Sequence, residues 1–355
     1  MARERARVRS PARAVFRPSR QGSHTRAPGV RVGGACRPSG EAPLSRTPRR
    51  LSAAALLLPL VLALPACGDD AEPGAVVPEA PSSGNAFPVT VTGDDGELTL
   101  DERPEAVVSM SATATEMLFA VGAGDQVEAV DSTSDFPAGA PTTDLSAFTP
   151  SAEAIAGYEP DLVVLSDDLN GVVDSLDALG IPTLLLGAAD DLEEAYDQIR
   201  ALGAATGHPQ EAAEVVADVQ ERIDAAVGSV PDDAAGMRVY HELDPSYYSA
   251  TSDTFIGGVY SLFGLENIAD GAADQAGGYP QLSAEYVVGR APDLVVLADT
   301  ACCGETAATL AQRPAFDTVP AVQEGRVLEV DDAVASRWGP RVADLAEAVA
   351  GALRG

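Results

Sequence analysis

The chain contains no lysine, and its arginines are unevenly spent. Thirteen of them fall in the first fifty residues against only Glu4 and Glu41, whereas the remainder carries ten arginines against fifty-two aspartates and glutamates. The net charge past residue 50 is therefore near −42. A surface of that sign repels phosphate backbones and anionic headgroups, which argues against nucleic-acid binding and keeps the protein soluble. Histidine is scarce as well. Beyond the basic segment only His208 and His241 occur, in neither a nucleophile motif nor a metal-ligand pair, and no glycine-rich loop has Walker or Rossmann spacing. A bare transition ion needs several converging histidines and carboxylates, so neither a resident metal nor a cofactor is expected. The poverty of catalytic groups points to a protein that is not an enzyme.

Long apolar runs are missing too, apart from residues 51–66. That run follows Arg49-Arg50, is too short for a comfortable membrane span, and has the form of a secretory signal core. It ends in Leu64-Pro65-Ala66-Cys67 before the polar Gly68-Asp69-Asp70. The sequence resembles a bacterial lipobox, in which cleavage leaves Cys67 as a lipidated N-terminus; an ordinary signal with a chance cysteine is the plainer alternative. The long basic stretch ahead of it implies that translation starts downstream of Met1. Residues 1–66 are thus read as a basic extension and lipoprotein signal peptide, and 67–86, rich in Pro, Ala, Gly, Ser and acid, as a flexible tether. Residues 87–207 form an N-terminal lobe, 208–229 a linking helix and 230–355 a C-terminal lobe. With Cys36 in the doubtful extension, only Cys302 and Cys303 are left. In an oxidising compartment they either close a strained vicinal disulfide or stay as two free thiols, and the sequence leaves both open.

What the chain does contain is one structural unit twice. Residues 151–165 and 283–297 share ten identities in fifteen at a constant offset of 132. Each copy must hold an equivalent place in its own half of the fold. In both, Ser151 or Ser283 is a good N-cap, Glu153 or Glu285 falls in the first helical turn, and Leu-Val-Val-Leu reads as a strand covered on both faces. A hairpin is expected around Gly93-Asp94-Asp95-Gly96, strands at 107–110, 127–130, 181–186, 239–240 and 326–330, and helices between them. Residues 209–227 carry apolar positions along one helical face, a rod of roughly 28 Å between the halves. The expected fold class is α/β, two lobes with mainly parallel sheets joined by a single long backbone helix.

In open parallel sheets ligands gather at the carboxyl ends of the strands. Those ends are residues 111–113, 166–170, 244–252, 299–304 and 331–338. They carry Tyr247, Tyr248 and Trp338, the only tryptophan, a lining suited to a large, flat, partly apolar ligand. Core packing is the competing role for each aromatic. Arg337 is a candidate partner for a ligand phosphate or carboxylate, with a salt bridge inside its own lobe as the alternative. Arg341 is expected to be structural, and so is His241, although its place after a strand could turn it to the cleft. Two equivalent exposed carboxylates, Glu153 and Glu285, suit docking onto a twofold-symmetric partner with basic sockets; simple interaction with the helix dipole, worth only ~0.3 to 1 kcal/mol, is the alternative.

Together the lipobox, Val107-Val108-Ser109-Met110-Ser111-Ala112-Thr113-Ala114-Thr115-Glu116, Ser134-Asp135-Phe136-Pro137, both repeat copies, Tyr279-Pro280-Gln281-Leu282-Ser283 and Gly339-Pro340-Arg341 resemble the solute-binding lipoproteins of ABC importers. The resemblance is to the class with a helical backbone, periplasmic binding protein class III, which captures cobalamin and ferric siderophores. It implies a monomer held by lipid at the outer face of the cytoplasmic membrane, delivering a metal chelate to an ABC permease and its ATPase. It also implies ligand contacts from Ser111, Thr133, Phe136, Phe148, Tyr247, Tyr248, Tyr279 and Arg337, beside Trp338 from the strand-end lining above, and permease docking by Glu153 and Glu285. Cobalamin binders of this kind often place Trp before each docking glutamate; here Phe148 and Tyr279 are the nearest aromatics. Anionic ferric catecholates need several cleft cations, so the charge favours cobalamin, with a neutral ferric siderophore close behind. A two-lobed chelatase-like enzyme, which would need a catalytic His241, and a surface lipoprotein without a transport role are the competing readings.

Overall fold

Residue order alone places two equivalent sheets around one helix. The computed structural model describes residues 87–355; Cys36, Cys67, the signal segment and the tether lie outside the described residues. The chain enters through an antiparallel hairpin, β1 (Val89–Gly93) and β2 (Gly96–Leu100), in which Val89 faces Leu100. The turn is pinned at its tip. The Asp94 N–H donates to the Leu185 carbonyl, and the Asp94 carboxylate accepts the Gly187 N–H at 2.8 Å.

The first sheet has the order β4-β3-β5-β6, built from β3 (Val107–Met110), β4 (Val127–Val130), β5 (Leu162–Leu165) and β6 (Thr183–Leu185). The second has β7 (Arg238–Glu242), β8 (Glu266–Asn267), β9 (Leu294–Leu297) and β10 (Val327–Glu329) in the order β10-β9-β7-β8. Every pairing within both sheets is parallel. Read from the other edge, the second order repeats the first strand for strand. Helices α1 (Ala112–Ala120), α2 (Ala152–Ala156), α3 (Val172–Asp177) and α4 (Leu192–Thr206) serve the first sheet. The central α5 (Pro209–Gly228) follows. After it come α6 (Phe255–Leu262), α7 (Ala284–Arg290), α8 (Thr300–Cys303), α9 (Ala307–Gln312), α10 (Pro320–Gln323), α11 (Asp332–Ser336) and α12 (Val342–Arg354).

Most of the repeat's identities are consumed by folding. In β5, Leu162 and Val164 enter the core shared with the helical backbone while Val163 and Leu165 enter the opposite one, and Leu294 to Leu297 of β9 divide in the same way. That alternation is what a strand sandwiched between two helical layers requires. Ser151 and Ser283 cap α2 and α7, accepting the N–H of Ala154 at 3.3 Å and of Tyr286 at 3.2 Å. Asp161 accepts the N–H groups of Glu105 and Ala106, and Asp293 accepts that of Arg238, so each repeat aspartate pins the start of the neighbouring strand. The glutamates are different. Glu153 and Glu285 are exposed, and the one side-chain bond to either among the described residues comes from the nearby Ser151 hydroxyl to Glu153.

Helix α5 packs on α4 and on α12. At Gly203 of α4 a Cβ would come within 2.3 Å of the Ala212 Cβ, so the two helices touch backbone to side chain and only glycine fits. On its other side Arg222 donates to Glu347 at 2.8 Å and to Asp344 of α12. Both attachments make the backbone helix a stiff joint. Sequence patterning missed β8, α8, α10 and α11, because two- to five-residue elements are too short to display a period.

Candidate functional site

Because each sheet is parallel throughout, the carboxyl ends of its strands share one edge, and the sequence-predicted ligand residues follow those ends. Ser111 follows β3; Thr133, Phe136 and Phe148 follow β4; Tyr247 and Tyr248 follow β7; Tyr279 follows β8; Arg337 and Trp338 follow β10. Four of these aromatics are exposed: Phe136 at 41%, Phe148 at 74%, Tyr248 at 39% and Tyr279 at 43%. Exposure on that scale costs apolar hydration, and the rings fall two to each sheet, Phe136 and Phe148 after a strand of the first and Tyr248 and Tyr279 after strands of the second.

The loops after β7 and β8 hold each other in a short antiparallel ribbon. Tyr248 pairs with Gln281, the Ser249 N–H donates to Pro280 O at 3.0 Å, and the Thr251 N–H donates to Gly278 O at 2.8 Å. This register sets Tyr248 and Tyr279 as diagonal neighbours on one face of the ribbon. Partial burial, and then the Asp190 carboxylate of the first lobe, hold the Tyr279 phenol above its ordinary pKa.

Several predicted contacts are spent inside the fold. Tyr247 takes φ +70°, which turns its ring inward to stack on Phe316 and to cover the Arg313 guanidinium at 5.3 Å. Ser111 is buried and caps α1, its hydroxyl accepting the Ala114 N–H at 3.2 Å. Thr133 donates its hydroxyl to Asp131 at 2.6 Å. The Trp338 indole N–H donates to Gln198 of α4 at 2.8 Å. Cys302 and Cys303 lie exposed at the end of α8 and stand as free thiols in this structure.

Arg337 departs most from expectation. Neither a free ligand cation nor a pair within its own lobe, it crosses to the first lobe, donating to Glu116 at 2.7 Å, Asp135 at 3.0 Å and the Thr133 carbonyl at 2.9 Å. Arg341 joins it, donating Nε to Glu116 at 2.9 Å while its guanidinium covers the Phe136 ring at 4.2 Å. The buried Glu116 carboxylate thus clasps two arginines of the opposite lobe. Arg313 lies deeper, bonded to Glu242 and Glu305. Among the described residues, no arginine on the carboxyl-end loops is left without a partner, and Arg290, with no carboxylate partner, sits at the far end of α7.

His241 does not reach the cleft. It is fully buried, with Nδ1 2.6 Å from the Tyr260 hydroxyl, and burial lowers its pKa to about 4. Asp299, after β9, is equally buried and neither carboxylate oxygen has a partner among the described residues; burial first, then Glu242 and Glu305, raise its pKa to about 7. The folded chain therefore keeps a proton that an unfolded aspartate, with pKa near ~3.9, has already released. Asp299 by itself lowers stability as pH rises from about 4 to about 7, whereas His241, with its depressed pKa, raises stability from about 4 to ~6.5, so the two largely offset each other. Asp299→Asn should therefore make stability rise more steeply with pH in urea melts taken across this range; an unchanged profile would place the titration elsewhere.

The pattern of the periplasmic binding protein family matches residues 107–334. A cobalamin-binding protein of Halobacterium salinarum is 30% identical over 286 residues, covering 76% of this chain and 77% of its own. An uncharacterized ABC transporter substrate-binding lipoprotein of Bacillus subtilis is 28% identical over 310 residues, covering 83% of this chain and 95% of its own. Among solved structures, the periplasmic vitamin B12 binding protein of Vibrio cholerae superposes with TM-score 0.60 at 24% identity, covering 71% of this chain and 97% of that one. The periplasmic heme binding protein of the same organism gives 0.62 at 24% identity, with 70% and 99% covered. At these identities the superpositions speak for the fold.

Proposed function

Because the chain belongs to the periplasmic binding protein family, we propose that it is an extracytoplasmic solute-binding lipoprotein. It captures a cobalamin-like corrinoid between its lobes and delivers it to an ABC importer. The observation that carries this reading is the set of four exposed aromatics on the carboxyl-end loops, with every nearby arginine already paired. A corrinoid is broad, flat and fringed by neutral amides, so it gains from ring contacts and asks for no cation. Heme carries two propionates, and on these loops they would meet Asp135, Asp190 and Asp331 instead of free cations. The relative at 30% identity, named for cobalamin binding, leans the same way. A neutral ferric hydroxamate shares the charge logic and is the second ligand to try. The relatives are binding proteins, and sealed-off His241 gives a chelatase-like reaction no acid or base.

Export rests on the apolar run and Cys67, with residues 67–86 as tether between lipid and lobes. Docking rests on the repeat: once capping, strand pinning and core packing are accounted for, Glu153 and Glu285 are shared yet bound to little, as contact points for a symmetric permease would be.

Alanine at Phe148, Tyr248 or Tyr279 is expected to weaken cyanocobalamin binding about tenfold each, the equivalent of ~1.4 kcal/mol and near the upper range of one aromatic contact. Tyr158→Ala is the control, equally exposed at 40% but on the opposite edge, before β5. Equal affinities for all four variants and the parent would remove the aromatic surface from the site.

A further inference from the structure

Cys302 and Cys303 are both exposed thiols in a helix of a single turn. That turn is held from outside. The N–H groups of Ala301 and Cys302 donate to the Asp332 carboxylate at 2.9 and 2.7 Å, and the Thr300 hydroxyl donates to Val330 O at 2.8 Å. Gly304, at φ +72°, closes it by donating its N–H to Thr300 O at 3.0 Å. Asp332 is also the first residue of α11, and the residue just past its last turn is Arg337, which reaches Glu116 across the lobes.

We propose that Cys302 and Cys303 form an oxidisable dithiol site for peroxide-class oxidants, and that its closure into a vicinal disulfide unwinds α8 and loosens the Arg337 clasp. Hydrogen bonding with Cys303, then burial and Asp332, push the Cys302 thiol up to about 12. The Cys303 thiolate attacks one peroxide oxygen; the O–O bond breaks, and the leaving hydroxide takes a proton to become water. The Cys302 sulfur then attacks the sulfenic sulfur, the S–O bond breaks, the S–S bond forms, and the Cys302 proton leaves with the departing oxygen as a second water. Two thiols and one peroxide give one disulfide and two waters.

The ring and the helix exclude each other. Side chains at adjacent helical positions point about 100° apart and do not face one another. Neighbouring Cα atoms are only about 3.8 Å apart, below the roughly 4.4–6.8 Å of ordinary disulfides, so the ring forms only if the intervening peptide leaves helical geometry. Asp332 then loses its bond from Cys302, and α11, capped at its start by Asp331 and followed directly by Arg337, loses one of the ties that hold its first turn. A ring so strained is readily reduced, which makes the change reversible. The site rests on the thiols and α8 and needs no particular solute.

Purified protein would be treated with hydrogen peroxide and followed by intact mass, thiol titration and hydrogen exchange. The expected result is loss of two hydrogens and of both thiols, with exchange protection lost at 300–304 and also at 332–337, unchanged in α4, and restored by dithiothreitol. Cys302→Ser and Cys303→Ser should gain oxygen instead and keep protection at 332–337. Added oxygen in the parent chain, or faster exchange confined to 300–304, would overturn the proposal.

Discussion

The Glu116→Ala variant is expected to unfold about 3–5 kcal/mol more easily than the parent chain, the cost of stranding buried charge. Glu116 is buried on α1 and accepts from Arg337 and Arg341 together, while neither arginine is more than slightly exposed. Its removal leaves two guanidiniums facing each other at the lobe boundary, with Asp135 and Asp331 as exposed and weaker substitutes. Glu116→Gln should fall between, because it keeps the shape and some hydrogen bonds but loses the charge. Adding Arg337→Met and Arg341→Met to Glu116→Ala should recover most of the loss, since no unpaired charge then remains. Urea unfolding of the four proteins measures this. A Glu116→Ala change within about 0.5 kcal/mol, the range of ordinary surface substitutions, would mean that the clasp does not hold the lobes.

Charge reversal at the two repeat glutamates is expected to act on delivery alone. Glu153→Lys or Glu285→Lys should each slow solute uptake by cells about tenfold, in line with losing one steered contact, and the double variant should abolish it. Binding of cyanocobalamin by the purified variants should match the parent, because both side chains point into solvent from the first turns of α2 and α7. Stability should hardly change, for each glutamate contributes little beyond its helix dipole. Cellular uptake and solution binding measured side by side separate the two roles. Uptake that survives the double reversal would leave the glutamates as helix-terminal charges only.

The strands and helices that matter were legible because each is bounded by strong punctuation: Ser151 and Ser283 at helix starts, Gly122, Gly207 and Gly264 at helix ends, and unbroken Leu-Val-Val-Leu where a strand is covered twice. The offset of the repeat even gave the correspondence of β5 with β9. The clasp was not legible. Glu116 lies 221 residues from Arg337 and 225 from Arg341, and nothing local distinguishes a helix glutamate that faces water from one that faces another lobe. Tyr247 and Tyr248 illustrate the same limit at short range. Adjacent in sequence and identical in kind, they part because Tyr247 adopts a left-handed backbone and turns into the core. Likewise Asp299 reads as a polar loop residue after a strand, and only the packing around it seals it from water.

The central claim is that the carboxyl-end loops bind a flat chelate without using a cation. Calorimetric titration of the purified, reduced protein with cyanocobalamin and, separately, with hemin tests it most directly. The account predicts saturable one-to-one binding of cyanocobalamin and none of hemin at the same concentrations. Saturation by hemin with no response to cyanocobalamin would contradict it.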